Sequence, residues 1–227
     1  MARPRVLLTG FDPFPGAPEN VSKWLVETLA GSSPSANSGC ELHAAVLPTE
    51  WTEVSTLGPR LLDQHRPRLV LHFGLSRRTR GFRIERSAHN RIQAKHDARG
   101  ELPAAPTIIE QGRARFDTTL PAAGLARHLQ QQGLPAVTSC SAGTYLCNFF
   151  YYLSLDWAAR QHTACDVCFV HVPPSARQGG PLSEAELLRG AEAAICYLID
   201  FTHHRDGAGA SGAEAAPVSP SRVSGPA

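Results

Sequence analysis

The sequence predicts an α/β fold, a three-layer α/β/α sandwich whose largely parallel, mixed and twisted sheet carries helices on both faces. Two observations predict it. Short apolar runs at Val6-Leu7-Leu8, Leu42 to Leu47, Leu69 to Phe73 and Val167 to Val172 are separated by stretches of helical periodicity, the alternation of a parallel sheet. Leu69 to Phe73 is apolar without interruption and stops at Gly74, as in a strand covered on both faces. The chain has 227 residues, enough for one core and with no compositional break into two. Residues 1–205 are therefore expected to form a single domain, and 206–227, mostly Gly, Ala, Ser and Pro, a disordered tail.

Arg5 to Thr9 reads as the opening strand. It runs into Gly10-Phe11-Asp12-Pro13-Phe14-Pro15-Gly16, a turn that sets two phenylalanines three apart, either plugging the core edge or lining a pocket. Asn20 stands as an N-cap before a helix from Val21 to Leu29, with Trp24, Leu25 and Leu29 at helical spacing. Residues 31–39 lack periodicity and read as loop. Thr49 to His65 reads as a helix capped by Thr49 or Thr52 and kinked or interrupted at Gly58-Pro59. After Gly74 to Arg80, a loop, Gly81 to Ala88 is extended, with Arg83, Glu85 and Ser87 on one side. Glu85 is thus flanked by arginines, which fits an ion-paired surface carboxylate. His89 to Thr107 reads as an irregular excursion, and Ile108 to Asp117 as loop or a short edge strand. Leu120 to Gln132 is amphipathic and exits at Gly133. Ser183-Glu184-Ala185-Glu186 is a capping box opening a last helix that extends to about Thr202.

The most informative stretch is Thr138 to Asn148. Small and hydroxyl residues around Gly143 read as a strand, a loop and a helix start that carries Cys147 in its first turn. Unpaired N–H groups there would favour a thiolate and would receive an oxyanion. A cysteine hydrolase also needs a histidine to shuttle the proton and a group to orient that histidine. His171 lies near a strand end fixed by Pro173-Pro174, and Glu85 lies on a neighbouring extended segment. If the sheet is parallel, its strand exits share one edge and bring such groups together.

The formal net charge is +2, and no block of basic residues would track a phosphate backbone, which argues against nucleic acid. No apolar run approaches the roughly 20 residues that cross a bilayer. The opening residues run straight into a strand, so no cleaved leader is expected. Six cysteines without a regular framework point to reduced thiols in the cytoplasm. Cys165 and Cys168 lie on one strand, three apart and so on opposite faces, which argues against a shared metal.

Four separated segments resemble those of the pyroglutamyl peptidase I (pyrrolidone-carboxylate peptidase) family of cysteine peptidases. They are Leu7-Leu8-Thr9-Gly10-Phe11-Asp12-Pro13-Phe14 with Asn20 downstream, Glu85-Arg86-Ser87-Ala88-His89-Asn90, Ser141 through Asn148, and Phe169-Val170-His171-Val172-Pro173. The resemblance implies Cys147 as nucleophile, His171 as general base and then acid, and Glu85 as its orienter, with no cofactor and no metal. Its substrates would be peptides with an N-terminal pyroglutamyl residue, handled by a monomer or a homo-oligomer. Phe11, Phe14 and Tyr145 would clasp the lactam ring, Asn20 would lie near the pocket, and main-chain groups at Gly74 and Leu75 would bond the lactam amide. An oxyanion arginine is implied at Arg99, within Asp97-Ala98-Arg99, with Arg91 as the substitute. Pro15 in the turn and Tyr145 in the nucleophile segment depart from the family's usual Gly and Phe.

Overall fold

The computed structural model describes residues 3–31 and 39–211, with side chains through residue 206. Most of the expected 31–39 loop and the end of the expected tail, residues 212–227, lie outside the described residues. A six-stranded sheet has the order β2-β1-β3-β8-β4-β7. Its strands are β1 (Arg5–Phe11), β2 (Glu41–Leu47), β3 (Leu69–Leu75), β4 (Phe82–Glu85), β7 (Ala136–Ser139) and β8 (Asp166–Val172). Every neighbouring pair is parallel except β4 with β8. The excursion from the core returns as β6 (Arg115–Asp117), which pairs with β5 (Ser87–His89) in a separate two-stranded ribbon.

The antiparallel pairing corrects the expectation that strand exits would gather at one edge. β4 and β7 run against the other four strands, so β7 ends beside Glu85, away from the exit of β8. Residues 140–145 carry the chain back to the site. The site is therefore assembled across one face of the sheet, by register as much as by topology.

Among the described residues five α-helices complete the layers: α1 (Val21–Gly31), α2 (Trp51–His65), α3 (Ala122–Gln131), α4 (Leu146–Ala159) and α5 (Glu184–Ser211). α1, α3 and α5 bury Val21, Leu25, Leu125, Leu129, Leu187 and Ile195 in one core. α2 and α4 bury Trp51, Val54, Leu62, Phe150 and Tyr151 in the other. Cys168 belongs to the first core and Cys165 packs on the second, as the strand reading required.

α2 is continuous through Gly58-Pro59, contrary to the expected interruption. The glycine serves helix packing, since a Cβ on Gly58 would lie 2.4 Å from the Phe150 ring. The expected threonine cap is also replaced. Glu50 occupies the N-cap without a side-chain bond, and the carboxylate of Asp97, far along the chain, accepts the Trp51 N–H at 2.9 Å. Thr49 instead donates to the Asp12 carbonyl at 2.7 Å.

The capping box of α5 is present, with Ser183 N–H donating to Glu186 Oε2 at 2.8 Å and Glu186 N–H to Ser183 Oγ at 3.2 Å. α5 continues to Ser211, past the expected helix end at about Thr202 and into the expected tail, because Arg205 and Asp206 dock on the sheet. Arg205 pairs with the buried Asp166, and Asp206 pairs with Arg68 at 2.7 Å. Among the described residues no helix is long and apolar enough to cross a membrane.

Candidate active site

β4 and β8 pair so that Arg83 stands opposite His171 and Glu85 opposite Phe169. Residues two apart on a strand share a face, so all four side chains project to the same side, with Glu85 diagonal to His171. His171 Nδ1 donates to Glu85 Oε1 at 2.8 Å, and neither residue is more than 4% exposed. With the Nδ1 proton committed to the carboxylate, Nε2 keeps its lone pair and is free to take a proton.

Arg83 Nε donates to the same Glu85 oxygen at 2.8 Å. Its Nη2 lies 3.3 Å from His171 Nδ1, where, because that nitrogen is itself a donor, it acts as a neighbouring charge. The other carboxylate oxygen, Oε2, has no hydrogen-bond partner at bonding geometry, although Ser139 lies opposite Glu85 on β7. Burial would push the Glu85 carboxyl up, but the His171, Ser139 and Arg83 contacts together bring it below its ordinary value. His171 is held below its ordinary value by burial, with Arg83 adding to the effect and Glu85 opposing it.

Cys147 is the second residue of α4, after Tyr145 as an extended N-cap. The helix is fixed beneath it by Phe150, Tyr151 and Tyr152, all fully buried, each worth about 1.5–3 kcal/mol in burial. Asn148 ties the same turn to the ribbon. Its Oδ1 accepts the His89 N–H at 2.9 Å and its Nδ2 donates to the His89 carbonyl at 2.8 Å. The sulfur lies over Gly74, the β3 residue in register with His171. A Cβ on Gly74 would fall 3.2 Å from Sγ and 2.7 Å from the Phe169 ring. Gly74→Ala is therefore expected to displace the Cys147 sulfur, lowering kcat by about a hundredfold or more while the protein stays folded. Steady-state kinetics beside a melting curve check this.

The thiolate expected at the helix start is disfavoured by burial. Burial pushes the Cys147 thiol up to about 12, and Glu85 adds to the rise. The lowering from its own main-chain N–H, Arg83 and Lys95 is smaller. Dehydration thus outweighs the helix terminus.

Phe14 and Tyr145 line one open cavity of about 550 Å³ with Pro15, Lys95 and Arg99. Phe11 is 3% exposed and belongs to the core, the plug of the two readings. Asn20 is likewise buried. Its Oδ1 accepts from Ser22 N at 3.1 Å, and its Nδ2 donates to the Asp12 carbonyl at 3.1 Å, which caps α1 and fixes the phenylalanine turn. Leu75 ends β3 beside Gly74 and is half-buried.

Arg99 is 68% exposed and its Nε is paired with Glu50 Oε2 at 2.7 Å. Arg91 is exposed, and its carbonyl accepts from Asn148. The cations Arg83 and Lys95 act to lower the Cys147 thiol pKa. A second cavity, of about 560 Å³, is lined by Arg86, Arg115, Cys140 and Tyr197, and none of Cys147, His171 and Glu85 lines it.

Arg83 and Lys95 are functional candidates that motif reasoning did not single out. For Arg83 the signal was present, since it shares the strand face of Glu85. For Lys95 there was none, because its place depends on the path of an irregular loop.

Residues 4–179 match the family described as pyroglutamyl peptidase. The pyrrolidone-carboxylate peptidase of Streptococcus suis is 29% identical over 209 residues, 89% of this chain and 95% of that protein. Among solved structures, the pyrrolidone carboxyl peptidase from Thermococcus litoralis superposes with a TM-score of 0.81 at 26% identity, covering 89% of this chain and 96% of that one. Pyroglutamyl peptidase I of Bacillus amyloliquefaciens gives 0.79 at 26% identity, over 88% and 98%. With a buried Glu85–His171 pair beside a cysteine at a helix start, and a match of this extent, the chain belongs to the pyroglutamyl peptidase family.

Proposed function

We propose that the protein is a cysteine exopeptidase that removes N-terminal pyroglutamyl residues from peptides through a thioester on Cys147. The observation that carries this is the 2.8 Å bond between His171 Nδ1 and Glu85, both buried, which leaves Nε2 as a base on the face where the sulfur stands. As Sγ attacks the scissile carbonyl, its proton passes to His171 Nε2, and main-chain N–H groups at the start of α4 receive the oxyanion. The C–N bond then breaks as His171 returns the proton to the leaving amine. Water, deprotonated by the same imidazole, cleaves the thioester and releases pyroglutamate.

Phe14 and Tyr145 form the walls for the lactam ring, with Phe11 supporting them from the core. Asn20 fixes the turn that presents Phe14. Main-chain groups at Gly74 and Leu75 bond the lactam amide. These steps use no cofactor and no metal. Six free cysteines, Cys147 among them, suit a reducing compartment, and we place the protein in the cytoplasm.

Pyroglutamyl and prolyl anilides test the assignment. A site built to bond the lactam N–H and C=O is left with unpaired groups by proline, so release is expected from the pyroglutamyl compound and at least about a hundredfold less from the prolyl one. Equal turnover of both would identify a cysteine amidohydrolase of broader acyl range. Turnover of neither would identify a binding protein that retains the fold.

A further inference from the structure

Lys95 is exposed, and its Nζ lies 4.5 Å from the centre of the Tyr145 ring. Both residues line the cavity that holds Phe14. The ammonium is held there in two ways. Its attraction to the ring face favours the position, and the main chain beneath it is pinned, because Trp51 Nε1 donates to the Lys95 carbonyl at 3.0 Å. Trp51 also meets Tyr145 edge-on, with ring centres 5.1 Å apart. The lysine, the tyrosine and the start of α2 therefore form one unit.

The nearby carboxylates are engaged elsewhere. Asp97 accepts the main-chain N–H groups of Trp51, Arg99 and Glu101. Glu50 holds Arg99, and Glu85 holds Arg83 and His171. Among the described residues no carboxylate lies within ion-pairing distance of Lys95 Nζ. Its charge is directed into the cavity and is felt at the sulfur, where it favours the ionised form.

Given the pyroglutamyl assignment above, on which this step rests, we propose that Lys95 is a specificity-determining charge that makes the site select acyl groups with an uncharged nitrogen. An ordinary peptide begins with an amine that is protonated near neutral pH, whereas a lactam nitrogen carries no charge. A peptide seated with its first ring between Phe14 and Tyr145 brings that nitrogen to the lysine. Repulsion then excludes free N-termini independently of the lactam hydrogen bonds. For an exposed, partly screened charge the discrimination is about tenfold.

Three small amides separate charge from shape and hydrogen bonding. Prolinamide is a charged five-membered ring, cyclopentanecarboxamide is the same ring without charge, and pyroglutamide adds the lactam groups. Binding is measured by calorimetry, which does not depend on turnover, and by competition against pyroglutamyl anilide. In Lys95→Met the preference for cyclopentanecarboxamide over prolinamide is expected to fall by about tenfold, while the preference for pyroglutamide over cyclopentanecarboxamide stays within about twofold. Lys95→Arg is expected to keep both ratios. High salt is expected to lower the first ratio in the native protein and not in Lys95→Met.

An unchanged first ratio in Lys95→Met, or an equal change in both ratios, would overturn the proposal. Failure of the native protein to hydrolyse pyroglutamyl anilide would instead overturn the assignment it rests on. The calorimetric ratios would still report on the lysine.

Discussion

Cys147→Ser is expected to lower kcat/KM for pyroglutamyl anilide by about 10⁴-fold or more and to leave the melting temperature nearly unchanged. The loss is chemical, since the serine hydroxyl is a far weaker nucleophile in the same place. The fold depends on the aromatic residues of α4, which the substitution does not touch. The thiol itself has a second signature. With its pKa pushed up to about 12 by burial, the thiolate fraction near neutral pH is on the order of 10⁻⁵. Alkylation of Cys147 by iodoacetamide in the absence of substrate should therefore be slow and rise with pH across the neutral range. Mass spectrometry at each of the six cysteines measures this. Fast, pH-independent labelling of Cys147 would mean that the helix terminus prevails over dehydration.

Glu85→Gln is expected to lower kcat by about 10²- to 10⁴-fold and to destabilise the protein by about 2 kcal/mol. The stability loss is smaller than for a fully buried ion pair because the Arg83 side chain is 25% exposed. Without the carboxylate, His171 loses the contact that raises its pKa, while burial and Arg83 continue to lower it. The imidazole would then hold the thiol proton poorly in the transition state.

The pH dependence of stability has a definite sign. Glu85 and His171 both have folded pKa values below their unfolded ones. Each therefore contributes stability that is present above its unfolded pKa and is lost as pH falls toward the folded value. For His171 the loss begins below about 6.5, and for Glu85 below about 4.3. Glu85→Gln should remove the lower of these two limbs from a plot of unfolding free energy against pH. An acid limb identical to that of the native protein would show that Glu85 is not ionised in the fold.

Much of the element order was legible because its causes are local. The apolar runs of β1, β3 and β8, the Asn20 cap and the Ser183–Glu186 box are each decided within a few residues. Signals that failed were those with a distant competitor. Thr49 and Thr52 were reasonable caps for α2, but Asp97 reaches its first N–H from 46 residues away. Gly58-Pro59 resembled a break, yet the glycine is the contact through which Phe150 of α4 approaches α2. At the C-terminus, Arg205 and Asp206 continue the helix because Asp166 and Arg68 await them at the sheet.

The sequence by itself determined the α/β class, because short-range periodicity and capping fix it, and its four family-like segments put forward Cys147, His171 and Glu85 as the candidate residues. Only the tertiary structure decided that β4 and β7 are reversed, that Glu85 and His171 meet on a diagonal, that Arg99 is occupied by Glu50, and that Lys95 faces the cavity. It also decided that burial pushes the thiol pKa up. Strand direction, ion-pair choice and dehydration are set by groups tens of residues apart in the chain, and their energies exist only once those groups are packed together.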